Sequence, residues 1–300
     1  MITNNKNLIE VEKCPICGEK ARKDILSCID HTVSKSEFKV VECSNCGFAF
    51  TSPRPAESDL GAYYESEEYI SHSNTSKGIV SRLYQRVRKY TLGKKLGLIN
   101  RQGKKGSLLD IGCGTGEFLN TAKLDGWKAI GIEPSPSARK QGEENFKLDV
   151  RDEPELASLP AKSFDVITMW HVMEHVPNLR DRVQRLNELL KDDGVLFIAV
   201  PNRSSFDAKH YGEKWAAYDV PRHLWHFRAQ DMRKLMEQFG FEVKQILPMK
   251  FDSYYVSMLS EKYKTGKTKM ISAVWNGWIS NRKAGKEGAS SLIYIIRKKG

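Results

Sequence analysis

The stretch LLDIGCGTGEF, Leu108 to Phe118, places three glycines, Gly112, Gly114 and Gly116, directly after the acid Asp110. Glycine turns between a strand and a helix bring backbone N–H groups close to a ligand, most often a phosphate met by a lysine or by a helix N-terminus. No lysine follows here, and Glu117 stands where a dinucleotide fingerprint has its third glycine, so a pyrophosphate would be opposed. An acid-flanked glycine loop suits a ligand carrying an ammonium or sulfonium group. Glu133, in GIEPS at the end of the next strand, is placed to accept hydrogen bonds from both hydroxyls of a ribose. Amine, cation and ribose together describe S-adenosylmethionine.

A second chemistry belongs to two C-x-x-C pairs, Cys14/Cys17 and Cys43/Cys46, each followed by a glycine, Gly18 or Gly47, that permits the turn bringing both sulfurs to one ion. Four thiolates give a tetrahedral, closed, structural zinc site. The separation of the pairs slightly exceeds the roughly 15 to 20 residues usual in a ribbon, which a hairpin through FKVVE absorbs. Cys28 and His31 form a further C-x-x-H and read as ordinary residues of the intervening loop.

Histidines supply the candidate bases. His171, in MWHVMEHV after the end of a strand, is the first choice, and His175 reads as a packing residue. The same letters spell the H-x-x-E-H of an inverted zinc peptidase, but that motif needs a stable helix rather than the end of a buried strand. WAAYDVPRHLWHF, Trp215 to Phe227, reads as an aromatic acceptor pocket, with His223 a second catalytic candidate and Arg222 a holder of phosphate or carboxylate.

The elements that must position these groups follow from periodicity. Strand-like runs SLLDIG, KAIGIEP, KLDV, FDVITMW, VLFIAVP, FEVKQILPM and SLIYIIRKK alternate with helical patterns, which argues for a mainly parallel sheet covered on both faces. IVSRLYQRVRKYTLGKKLGLI repeats apolar residues (Val80, Leu83, Tyr84, Val87) at helical spacing between Arg82, Arg86, Arg88 and Lys89, and reads as a helix covering that domain. The expected organisation is a metal-binding head over 1–55, a helical linker or cap over 56–100 and a catalytic domain over 101–300.

LLDIGCGTGEFL, AIGIEPS, SFDVITMWHVMEHV and GVLFIAVPN, in this order, resemble the class I S-adenosylmethionine-dependent methyltransferases. The resemblance covers about Ser107 to Lys299 and implies a Rossmann-like α/β sheet of strand order 3-2-1-4-5-7-6 with the last strand antiparallel. It implies that Asp110, Gly112 and Gly114 frame the methionine part, that Glu133 holds the ribose and that Asp152, in the acidic turn after KLDV, meets the adenine. Cys113, Gly116, Pro134 and Trp170 complete the implied cofactor-binding set. With its cysteine-bearing head the chain also resembles a bacterial subgroup associated with sugar or polysaccharide pathways, which points to a small-molecule acceptor of that kind.

The chain has 300 residues, 40% of them apolar, and a formal charge of +11, which leaves nucleic acid, a phosphorylated ligand or a peripheral membrane surface open as anionic partners. An RNA methyltransferase, with Phe48 and Phe50 as stacking candidates, and a non-catalytic cofactor-binding adaptor are the rival readings. The N-terminus lacks the apolar core of a secretory signal and no run is long enough to span a bilayer, so a cytoplasmic location is expected. The lysine-flanked segment around Trp275, Trp278 and Ile279 reads first as packing, with a lid or a contact to a lipid-linked substrate as the other readings.

Overall fold

The computed structural model describes residues 8–64, 79–102, 105–267, 269–283, 285 and 287–300. Residues 65–78 of the expected 56–100 linker, and the side chains of Val80, Arg82, Leu83 and Tyr84, lie outside the described residues. The head begins with β1 (Leu8–Ile9), followed by the hairpin strands β2 (Arg22–Ile29) and β3 (Glu37–Cys43), then β4 (Ala49–Thr51) and β5 (Arg54–Pro55), which pairs back onto β1. A helical turn, α1 (Glu57–Leu60), precedes the long helix α2 (Ile79–Asn100).

The alternating segment then forms β6 (Ser107–Ile111), α3 (Glu117–Leu124), β7 (Lys128–Ile132), α4 (Pro136–Phe146), β8 (Asp149–Arg151), β9 (Phe164–Trp170), α5 (Leu179–Leu189) and β10 (Leu190–Pro201). After these come α6 (Phe206–Tyr211), β11 (Trp225–His226), α7 (Ala229–Glu237), β12 (Phe241–Pro248), α8 (Asp252–Thr265), α9 (Met270–Lys283) and β13 (Ser291–Lys298). Local chemistry explains the boundaries. Pro136 sits in the first turn of α4, where no N–H is needed, and Ser135 caps it by accepting from the Ala138 amide. In α5 the buried residues Leu179, Val183, Leu186 and Leu189 recur at helical spacing and press one face onto the sheet.

Seven strands form one sheet in the order β8-β7-β6-β9-β10-β13-β12, and β13 runs antiparallel to both neighbours while the pairs from β8 to β10 are parallel. Counted within the domain this is 3-2-1-4-5-7-6, the order that the resemblance implies. The chain leaves β6 toward β7 on one side and returns as β9 on the other, so the crevice at their C-terminal ends is the topological switch point where open sheets bind ligands.

The head does not stand apart. Its sheet has the order β11-β4-β3-β2, with Trp225 paired to Phe50 and His226 to Ala49 from the far end of the chain. Cys14, Ile16, Phe48 and Phe50 belong to the same continuous apolar core as Trp225, Phe227, Leu235 and Ile198. Phe48 and Phe50 are therefore buried and present no ring on which a base could stack. Among the described residues no helix is long and apolar enough to cross a membrane.

Candidate active site

The glycine loop joins β6 to α3 with Gly112, Gly114 and Gly116 at φ of +71°, +56° and +85°, a region that side chains enter at a cost. The three are not equivalent. A Cβ at Gly112 would lie 2.4 Å from Val172 and one at Gly116 would lie 2.4 Å from Leu148, whereas one at Gly114 would meet nothing within 4 Å. The outer glycines therefore let the loop pack, and the middle one faces open space where a ligand can approach the backbone.

Glu133, at the end of β7, accepts from the amide of Gly114 through one carboxylate oxygen and from that of Ser135 through the other, each at 2.9 Å. This fixes the carboxylate plane and leaves each oxygen a lone pair. Burial raises its pKa and those two amides pull it back only in part. Arg139 ties the region together, donating to the carbonyls of Glu133 and Pro134 and to both oxygens of Asp152. Asp152 also caps the following turn by accepting from the Glu153 amide, so it organises this loop as well as facing it.

Asp110 and Thr168 are register partners on β6 and β9, and the threonine hydroxyl donates to Asp110 at 2.6 Å. Burial raises the pKa of Asp110 to about 7, and burial lowers that of Lys95, on α2, to about 8. The Lys95 ammonium lies 4.4 Å from the centre of the Trp170 ring, whose buried indole N–H has no hydrogen-bond partner. Cys113 is buried in the core beneath the loop. Glu117 corrects the charge argument drawn from the sequence. It is ion-paired with Arg88 of α2 and accepts from Thr115 at 2.7 Å, so it offers the ligand no unpaired charge.

His171 follows β9 with φ +58° and donates its backbone N–H to Ala199. A positive φ in a non-glycine residue is unusual. Nδ1 lies 3.3 Å from Glu174, and Nε2 lies 3.8 Å from Asp252 and 3.4 Å from the Met249 sulfur. Burial alone would lower the proton affinity of His171, but the carboxylates of Asp252 and Glu174 outweigh it and hold its pKa above the ordinary histidine value. The side chain is 28% exposed, so it can be reached from outside. Its neighbour Val172 packs against Gly112, which sets His171 beside the glycine loop.

His223, remote in sequence, reaches the same carboxylate. The ring nitrogens of His175 and His223 and a Glu174 oxygen lie within 4.8 Å of one another. His223 Nδ1 sits 2.8 Å from the Ala217 carbonyl, an acceptor, so this nitrogen carries a proton. Burial, reinforced by His223, lowers the pKa of His175 to about 4, which keeps it neutral. The motif His171 to His175 spans a short 3₁₀ turn, Met173–His175, rather than a helix, unlike the peptidase pattern.

The rest of the aromatic stretch is structural. Arg222 is 1% exposed and bound by Asp30, by Asp219 and by the Tyr63 carbonyl, so it is saturated and does not hold an acceptor. Trp215, Tyr218, Trp225 and Phe227 are buried, and His226 is held by Thr51 at 3.0 Å. Sequence reasoning missed Arg139, Asp252 and Lys95, because an arginine or lysine on a helix and an acid after a strand carry no local signal of what they meet.

At the head, the amides of Gly18 and Gly47 donate to the carbonyls of Cys14 and Cys43, with φ of +75° and +73°, so the two cysteine turns repeat one geometry. The sulfur pairs Cys14–Cys46 and Cys17–Cys43 are each 3.5 Å apart, and all four lie within 4.8 Å of one another. Zinc–sulfur bonds of about 2.3 Å require tetrahedral sulfurs roughly 3.8 Å apart, so the set fits that ion. Cys28 is buried elsewhere in the head and His31 stacks on Tyr263, so neither joins the cluster.

A family model described as a methyltransferase domain matches residues 81–246. The ubiquinone biosynthesis O-methyltransferase of Glaesserella parasuis (serovar 5, strain SH0165) is 31% identical over 170 residues, which cover 50% of this chain and 70% of that protein. The protein of the same name from Actinobacillus pleuropneumoniae (serotype 5b, strain L20) is 38% identical over 113 residues, 34% of this chain. There the match spans 47%, about half, of the relative's length. Among solved structures, the magnesium protoporphyrin IX methyltransferase of Synechocystis PCC 6803, with bound S-adenosylhomocysteine, superposes with a TM-score of 0.55 at 13% identity over 81% of this chain and 100% of that one. At that identity the likeness is one of fold.

Proposed function

Since the chain belongs to the S-adenosylmethionine-dependent methyltransferase family, we propose that the whole protein transfers a methyl group to an oxygen of a small-molecule acceptor, with His171 as general base. The observation that carries this reading is the position of His171 beside the glycine loop, between two carboxylates that favour its protonated form. When bound, S-adenosylmethionine supplies an electrophilic methyl group on a sulfonium that leaves as a neutral thioether, so orientation does most of the work. Gly114 admits it to the backbone, Glu133 takes the ribose hydroxyls, and Asp110 faces its positive end, with Gly112, Cys113 and Gly116 shaping the loop. Pro134, Asp152 and Trp170 border the remaining surface.

His171 takes the acceptor's hydroxyl proton on the imidazole, and Asp252 and Glu174 stabilise the imidazolium that forms. His223 and neutral His175 lie close to the same Glu174 carboxylate. The four cysteines of the head hold a structural zinc, which supports the turns and takes no part in the reaction.

The acceptor class has two candidates. The resemblance favours a sugar hydroxyl, and the relatives' names favour a hydroxyl of a ubiquinone precursor; an oxygen acceptor is common to both. The test is incubation of the purified protein with S-adenosylmethionine and either a ubiquinone-precursor phenol or a nucleotide-linked sugar. Formation of S-adenosylhomocysteine together with an acceptor heavier by one methylene, abolished in His171→Ala, is the expected result. Turnover that appears only with an amine acceptor would overturn the oxygen assignment.

A further inference from the structure

The segment between β12 and β13 folds into the helices α8 and α9, and α9 is turned with its large side chains outward. Its inner face is small and polar: Ala273, Asn276, Gly277 and Ser280 are buried. A Cβ at Gly277 would lie 2.7 Å from Tyr254, Asn276 donates to Tyr211 at 2.9 Å, and Ser280 donates to Asp207 at 2.9 Å. These buried polar contacts fix the rotation of the helix, so its outer face is not a core face that has slipped. On that outer face Ile271, Val274, Trp275 and Trp278 are 89%, 53%, 61% and 42% exposed and recur at i, i+3, i+4 and i+7.

The two indoles stack with centroids 5.3 Å apart, and the Arg282 guanidinium lies 5.2 Å from the Trp278 ring centre. The sequence from Lys262 to Lys286 contains lysines and one arginine but no aspartate or glutamate except beyond its ends. An apolar, tryptophan-bearing stripe flanked only by cations matches the chemistry of an anionic lipid surface, where aromatic rings enter the headgroup layer and the cations meet lipid phosphates. The stripe sits near the active site. Asn281 donates to the Lys250 carbonyl at 2.9 Å, and Ser253 donates to the Gly277 carbonyl at 3.2 Å, so α9 docks on the first turn of α8, whose Asp252 faces His171.

We infer that the outer face of α9 docks the protein reversibly onto an anionic membrane surface. This docking is independent of which acceptor is methylated. It requires no conformational change, since the stripe is already outward, and salt opposes it because its attraction is partly electrostatic.

The experiment is flotation of the purified full-length protein with phosphatidylglycerol-containing vesicles and, separately, with pure phosphatidylcholine vesicles, at low and high salt. Light scattering is run on the same samples without lipid. Binding to the anionic vesicles that weakens in high salt and falls roughly tenfold or more in Trp275→Ala/Trp278→Ala is expected, as removal of two interfacial indoles requires. Both residues are exposed, and S-adenosylmethionine binding serves as the check that the variant is folded. Absence of wild-type binding, or equal binding by the double variant, would overturn the proposal. So would a dimer that dissociates in the double variant without any vesicle binding, since the stripe would then belong to a second copy of the chain.

Discussion

Glu133 holds two backbone amides with its two carboxylate oxygens, so the side chain proposed to meet the ribose also fixes the loop. Its removal therefore acts twice. Glu133→Ala is expected to weaken S-adenosylmethionine binding by on the order of tenfold to a hundredfold, the range for hydrogen bonds to a charged group, as read by calorimetric titration. Unchanged affinity would show that the ribose lies elsewhere. At His171 the argument is one of sign. Its pKa is raised, so the neutral, basic form is populated at higher pH than in an ordinary histidine, and kcat is expected to rise with pH across that raised value. Asp252→Asn removes one of the charges that raise it, so the acidic limb of the kcat profile should move to lower pH, while His171→Ala should lower kcat and spare cofactor affinity. An acidic limb that stays in place in Asp252→Asn would mean that another group titrates.

At the scale of elements, the β6 to α3 loop separates packed glycines from an open one. Gly112→Ala drives a methyl group into Val172 and is expected to lower stability by about 1–3 kcal/mol, seen as a fall in the denaturant midpoint. Gly114→Ala meets no neighbour; its cost is backbone strain of roughly 1–2 kcal/mol, and its main effect should be loss of cofactor binding. If the two variants lost binding and stability in the same proportion, the loop would be one structural unit with no separate ligand face. The helix α2 bears on the start of α3 through Arg88 and on the Trp170 ring through Lys95, an arrangement that its amphipathic spacing foretold only as a covering helix.

For the whole molecule, the decisive feature is that the head and the large sheet share one core and that β11 completes the sheet of the head. A head built as a separate ribbon would unfold alone on chelation and leave the sheet domain folded. With Phe48 and Phe50 packed against Trp225 and Phe227, loss of the metal is expected instead to lower a single cooperative transition for the entire chain. The magnitudes favour this: a structural zinc contributes roughly 10–16 kcal/mol in isolated fingers, and whole domains are stable by only about 5–15 kcal/mol. Metal analysis with thermal unfolding before and after chelation tests it. Two separated transitions, or a protein without zinc and with unchanged unfolding, would contradict the shared core or the metal, respectively.

The sequence by itself determined the sheet, its strand order through resemblance, the glycine loop with Asp110 and Glu133, and the grouping of the four cysteines. These are local patterns: spacing along one strand, one turn or one helix face is written in consecutive residues. Only the tertiary structure decided which distant groups share a space. It brought His223 to the carboxylate beside His171, gave Glu117 its partner Arg88, and enclosed Arg222 between Asp30 and Asp219, where it serves the fold rather than an acceptor. It also turned Trp275 and Trp278 outward, against the first reading that they pack. An aromatic or a charge has the same letter whether buried or exposed, and which it becomes depends on the surfaces that the rest of the chain folds against it.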